Sequence, residues 1–173
     1  AIVDTPDAFE QFLNELKAQP RFCVDLETTN LDALKADIVG WAFSWSAGVG
    51  NYIPVRGPAG SRLIDPDLVV RDLRPILESP AVEIVNQNIK YDLNVLSRID
   101  IRIDADRLGI DPMVGDYLLD AGARSHSLDT LITKYLGVAS IPISDLIGTG
   151  KKQKNMIDIP VKDVAEYATE DSD

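Results

Sequence analysis

Two rhythms of apolar residues divide the chain. Phe9, Phe12, Leu13 and Leu16 recur at helical spacing behind Thr5-Pro6, a capping residue followed by proline at the first helical position. This predicts a helix to about Ala18. At 21–27 the period becomes two. Phe22, Val24 and Leu26 take one face of a strand, and Cys23, Asp25 and Glu27 take the other. At 38–46, Val39, Trp41, Phe43 and Trp45 alternate with Gly40, Ala42 and Ser44. Gly48-Val49-Gly50 turns the chain, and Tyr52-Ile53-Pro54-Val55 returns antiparallel, with Pro54 marking an edge strand.

Asp65-Pro66 opens a second helix to about Glu78, with a kink expected at Pro75. Val82, Ile84 and Val85 predict a short buried strand. A helix follows from about Asn88 to Arg98, then a fifth strand at 101–103. Beyond Asp111 the pattern is helical at 112–121, 127–136 and from 161 onward. Residues 137–160, with Gly148, Gly150 and three lysines, predict a loop with at most one helical turn. Strands come mainly first and helices last. The expectation is a single α/β domain over 1–173, with one mixed five-stranded sheet flanked by helices.

Four acids interrupt these patterns. Asp25 and Glu27 lie two residues apart on one face of a core strand, where they repel each other and are costly to desolvate. A divalent cation satisfies such a pair, and a strand end open to water is the alternative. Asp171 shares a helical stripe with Val164, Tyr167 and Ala168. Asp92 shares one with Asn88, Tyr91 and Val95, and no lysine or arginine lies on either stripe. Each acid alone suits a helix edge turned to water, whereas four together suit a shared two-metal site.

Composition narrows the chemistry. A length of 173 residues with 45% apolar content suffices for one sizeable core. No apolar run approaches the ~20 residues of a membrane span. One cysteine, Cys23, rules out an internal disulfide and suits a reducing cytoplasm. One histidine, His126, rules out a multi-histidine zinc site, so the ion expected is a hard one, Mg²⁺ or Mn²⁺. A net charge of −11 argues against a broad nucleic-acid-binding surface, although not against contact through metal ions. The chain starts at Ala1 without Met, which suggests a piece of a longer protein.

The order of motifs resembles the DEDD superfamily of 3′–5′ exonucleases. Asp25-Leu26-Glu27-Thr28 matches the first motif, Asn88-Ile89-Lys90-Tyr91-Asp92 the second, and Tyr167-Ala168-Thr169-Glu170-Asp171 the third. A related branch has His five residues before the last Asp. Here that residue is Glu166, which points to the tyrosine branch. The 86–92 stretch, Asn51-Tyr52-Ile53-Pro54-Val55, the Gly148-Thr149-Gly150-Lys151 loop and the 166–171 ending are similar to the proofreading domain of bacterial family A, DNA polymerase I-like, enzymes. That family often has glycine where this chain has Asn86.

The resemblance implies a ribonuclease H-like fold, excised from a longer polymerase and ending just after the third motif. It implies hydrolysis of the 3′-terminal phosphodiester of DNA with two divalent ions. Asp25, Glu27, Asp92 and Asp171 are the implied metal ligands, with Glu27 and Tyr167 orienting the attacking water. Thr28, Leu31 and Asn88 are candidate substrate contacts, with packing or capping as the alternative. The implied partners are a single-stranded or frayed 3′ end of DNA and a polymerase domain of the same parent chain, with no membrane and a monomeric isolated domain. A ribonuclease D-like RNA exonuclease and an inactive bracing module are the competing readings. His126 suits a helix start. Lys151, Lys152 and Lys154 suit either phosphate contact or a solvated loop.

Overall fold

A computed structural model describes the whole chain, Ala1–Asp173. Helix α1 (Pro6–Lys17) starts where the Thr5 hydroxyl accepts the Ala8 N–H at 3.3 Å, and it buries Phe9, Phe12, Leu13 and Leu16. Strands β1 (Arg21–Thr28), β2 (Ile38–Ser46), β3 (Val49–Pro54) and β4 (Glu83–Val85) form one sheet in the order β3-β2-β1-β4. Only the β1–β4 pair is parallel. Pro54 thus lies in an edge strand, as expected from its missing N–H.

Between β3 and β4 runs α2 (Pro66–Leu77), capped by the Asp65 carboxylate. It continues through Pro75 and ends two residues later, so the proline falls in the last turn. Helix α3 (Ile89–Ser97) follows β4. The main core joins Phe22, Val24, Leu26, Trp41, Phe43 and Ile53 to the inner faces of α1, α2 and α3. Trp41 lies within it and Trp45 lies against Phe12 at its rim. The alternation in β2 fails at one point. A bulge opposite the Glu27–Thr28 step sends Ile38 into this core and Val39 to the other side.

The later helices are α4 (Pro112–Leu119), α5 (Leu128–Leu131) running on as a π-helical stretch to Leu136, α6 (Ile143–Ile147) and α7 (Val161–Ser172), of which α6 and α7 pack on that other side. Val164, Ala165 and Ala168 of α7 pack with Val39, Ala42, Tyr52, Met156 and Ile159 in a second core. Gly50 permits that approach, since a Cβ there would lie 2.5 Å from Thr169 Cβ. No helix is long and apolar enough to cross a membrane.

Two expectations are corrected. The sheet has four strands, not five. Residues 101–103 form no strand, because the Ile101 N–H is taken by Leu96 O at 3.1 Å as α3 closes. A 3₁₀ turn at Ala105–Arg107 then redirects the chain, held by the buried Arg107 guanidinium on Leu77 O at 2.6 Å. Beyond this turn, Leu108 makes a single parallel bridge to Ile84. The 137–160 stretch also holds more structure than one turn, namely α6 and 3₁₀ turns at Gly150–Lys152 and Met156–Asp158. Its scattered apolar residues Leu146, Ile147, Met156, Ile157 and Ile159 are anchored on the second core.

Candidate metal centre

The four acids of the sequence come from three elements. Asp25 and Glu27 lie near the end of β1, on the face toward α7. Glu27 pairs with Gly40, which offers no side chain to crowd it, and is only 6% exposed. Asp171 comes from the last turn of α7. Carboxylate oxygens of Asp25, Glu27 and Asp171 all lie within 4.8 Å of one another.

Asp92 enters from the first turn of α3 and is 4% exposed. Its Oδ2 accepts a hydrogen bond from Asn86 Nδ2 at 2.8 Å, and the same nitrogen donates to Asp25 Oδ1 at 3.4 Å. Asp92 Oδ1 is buried with no protein partner. The chain reaches this geometry in few residues. Parallel pairing sets Val85 beside Cys23, so Asn86 follows directly beside the acids. Asn88 then turns left-handed at φ 55, and its N–H and that of Ile89 are taken by the Asp111 carboxylate at 3.0 and 3.1 Å. Asp111 thereby caps α3 while also capping its own helix, α4.

Burial raises every one of these acids, and repulsion from neighbouring carboxylates adds to the rise of Glu27, Asp92 and Asp171. Burial pushes Asp25 up to about 6, against the pull of its hydrogen bond from Asn86. Asp171 rises to about 7, chiefly through burial, with the Tyr167 hydroxyl drawing it back and the Asp25 charge adding to the rise. Glu27 and Asp92 are held well above the usual carboxylate range by burial and then by the charge of Asp25. Tyr167 is raised by burial and by the Asp171 charge, which keeps its hydroxyl protonated. Burial likewise keeps Cys23 a thiol.

No lysine, arginine or histidine forms an ion pair with any of the four acids. An all-carboxylate donor set, one buried oxygen without a partner and no neighbouring cation together fit a hard divalent ion.

The other candidates sit in different settings. The Thr28 hydroxyl bonds the Tyr91 hydroxyl at 2.5 Å, tying the first motif to the second. Leu31, on the loop beyond β1, is 95% exposed, so packing does not account for it. The Asn88 side chain makes no cap bond, and its contribution is the left-handed turn. His126 meets Asp116 at 2.5 Å, in a network with Lys134 and Tyr135 apart from the four acids. Lys151, Lys152 and Lys154 are exposed, and the Asn155 amide bonds Thr29 O at 2.8 Å, drawing their loop toward the end of β1. Sequence reasoning assigned no role to Asn86 or Asp111. Asp111-Pro112 signals a cap for α4, but nothing local announces its second duty on α3.

A model of the 3′-5′ exonuclease family matches residues 1–173. The chain belongs to this family. Over 167 residues this exonuclease chain is 35% identical to DNA polymerase I of Pseudomonas aeruginosa, a match covering 95% of the chain and 18% of that protein. It is 31% identical to DNA polymerase I of Rhizobium leguminosarum over 183 residues, with the same coverage of each. The exonuclease chain thus spans about 18% of the length of these curated relatives. Among solved structures it is similar to Escherichia coli RNase D, an exoribonuclease, with a TM-score of 0.66 and 17% identity, covering 99% of this chain and 41% of that one. The exonuclease fold is ribonuclease H-like.

Proposed function

We propose that the chain removes nucleotides one at a time from the 3′ end of DNA, as the proofreading part of a DNA polymerase I-like protein in the cytoplasm. The observation that carries this reading is the convergence of Asp25, Glu27 and Asp171 beside the unpartnered oxygen of Asp92. Two divalent ions, Mg²⁺ or Mn²⁺, would activate water and stabilise the charge developing on the phosphate and the leaving oxygen. Asp25, Glu27, Asp171 and Asp92 would be the residues that hold them. In the reaction the water oxygen bonds to the terminal phosphorus and the P–O3′ bond breaks. The released 3′ oxygen takes up a proton, yielding a nucleoside monophosphate and a strand shorter by one nucleotide.

Glu27 and the protonated Tyr167 hydroxyl orient the attacking water. Exposed Leu31 suits contact with the terminal base, and Thr28 and Asn88 line the approach from β1 and α3. Lys151, Lys152 and Lys154 offer positive charge to the strand on a chain whose net charge otherwise repels it.

The test is degradation of 5′-labelled single-stranded DNA and of an RNA of the same sequence, with Mg²⁺ or Mn²⁺, beside Asp25→Ala/Glu27→Ala. Stepwise shortening of the DNA, abolished in the double variant, supports the reading. Preference for the RNA would transfer the activity to the ribonuclease D-like alternative. Inertness of a folded, metal-loaded chain would favour a bracing module.

A further inference from the structure

Asn86 is 3% exposed, and its amide must find partners inside the protein. It finds three. Nδ2 donates to Asp92 Oδ2 at 2.8 Å and to Asp25 Oδ1 at 3.4 Å, while Oδ1 faces the Cys23 thiol at 3.9 Å. These contacts fix the direction of the amide. Reversed, it would set an oxygen against two carboxylates. The amide also spans two elements, since Asp25 belongs to β1 and Asp92 to α3.

We infer that Asn86 is a positioning residue of the metal centre, whose amide, oriented by the Cys23 thiol, clamps one oxygen each of Asp25 and Asp92 and sets the affinity for divalent cations. The inference rests on the metal-dependent reading above and adds a residue that makes no contact with substrate. Its logic is that of an outer-shell partner. A ligating carboxylate with one oxygen held by a hydrogen bond presents the other in a fixed direction, and loss of such a partner typically lowers metal affinity about 10–100-fold. The unpartnered Oδ1 of Asp92 is the oxygen that this clamp leaves free.

The experiment is Mn²⁺ titration followed by electron paramagnetic resonance on the wild-type chain, on Asn86→Leu, which keeps the volume and removes both polar atoms, and on Asn86→Ser, which keeps a short donor. Thermal unfolding in chelator monitors the fold, and exonuclease kinetics separate kcat from KM for DNA. Asn86→Leu should bind Mn²⁺ about 10–100-fold more weakly. Asn86→Ser should fall between it and the wild type, and high Mn²⁺ should restore kcat with KM for DNA unchanged. If Asn86→Leu does not fold, Asn86→Ser carries the test. Wild-type Mn²⁺ affinity in whichever variants fold overturns the inference. A wild-type chain that binds no Mn²⁺ overturns the metal reading itself, and the inference falls with it.

Discussion

The acid cluster makes a direct claim about stability in the absence of metal. Asp25 titrates at about 6 in the folded chain against an ordinary value of 3.8. Between these values the unfolded chain has released its proton while the folded one retains it. The folded state then holds more protons, so stability falls as pH rises through that window and levels off above it. A rise of about two pKa units corresponds to about 3 kcal/mol. That is a large share of the roughly 5–15 kcal/mol that holds an ordinary domain together. Asp171, raised to about 7, extends the decline toward neutrality. Because the Asp25 charge is part of what raises Asp171, their costs do not simply add.

Asp116 acts in the opposite sense and in a different range. Hydrogen bonds from Lys134, Tyr135 and His126 lower it below the usual carboxylate value, so its contribution is lost only in stronger acid. Urea unfolding in chelator at pH 4.5, 6 and 7.5 should therefore show falling stability. Saturating Mn²⁺ should reverse the fall at pH 7.5, by about 2.7 kcal/mol at a hundredfold excess over its dissociation constant. Asp25→Asn should flatten the profile. A level or rising stability from pH 4.5 to 7.5 in chelator would refute the reasoning.

Other perturbations separate binding from chemistry. Asp92→Asn should stabilise the metal-free chain at pH 7.5 by about 1–3 kcal/mol, because it removes a buried charge and keeps an acceptor for Asn86; urea unfolding checks the first effect, and hydrolysis should fall by at least about 10–100-fold. Tyr167→Phe should lower kcat by about 10–100-fold with Mn²⁺ affinity unchanged, since it removes an orienting hydroxyl but no ligand; single-turnover kinetics beside a metal titration decide it. Gly50→Ala should cost about 1–3 kcal/mol by driving a methyl into Thr169 and lifting α7, with weaker Mn²⁺ binding as the accompanying sign. Wild-type stability and affinity in that variant would show that α7 has room to spare.

The acids were legible because periodicity fixes which way a side chain faces. Alternation in β1 set Asp25 and Glu27 on one side, and helical stripes turned Asp92 and Asp171 inward, as the structure has them. The clamp at Asn86 was not legible. One polar residue after a short strand has no period, and its value depends on a parallel register with β1 that local sequence does not encode. The expected fifth strand failed for a related reason. Ile101 and Ile103 alternate as a strand does, yet alternation also serves a connecting segment that rests both side chains on a core. Residues 143–159 concealed α6 because their apolar members answer to Val164 and Ala168 on a distant helix, not to one another.

The seating of α7 over Gly50 also bears on the order in which the protein takes shape. Nearly the whole chain lies between Glu27 and Asp171, and contacts so remote in sequence are slow to form. During synthesis the N-terminal portions emerge first, so β1, β2 and β3 can pair as a local meander while α7 is still unmade. The most repulsive part of the molecule is thus assembled onto a sheet that already has most of its core. The three-carboxylate cluster is complete only with the last helix, and until then Asp25 and Glu27 stand on the sheet without Asp171.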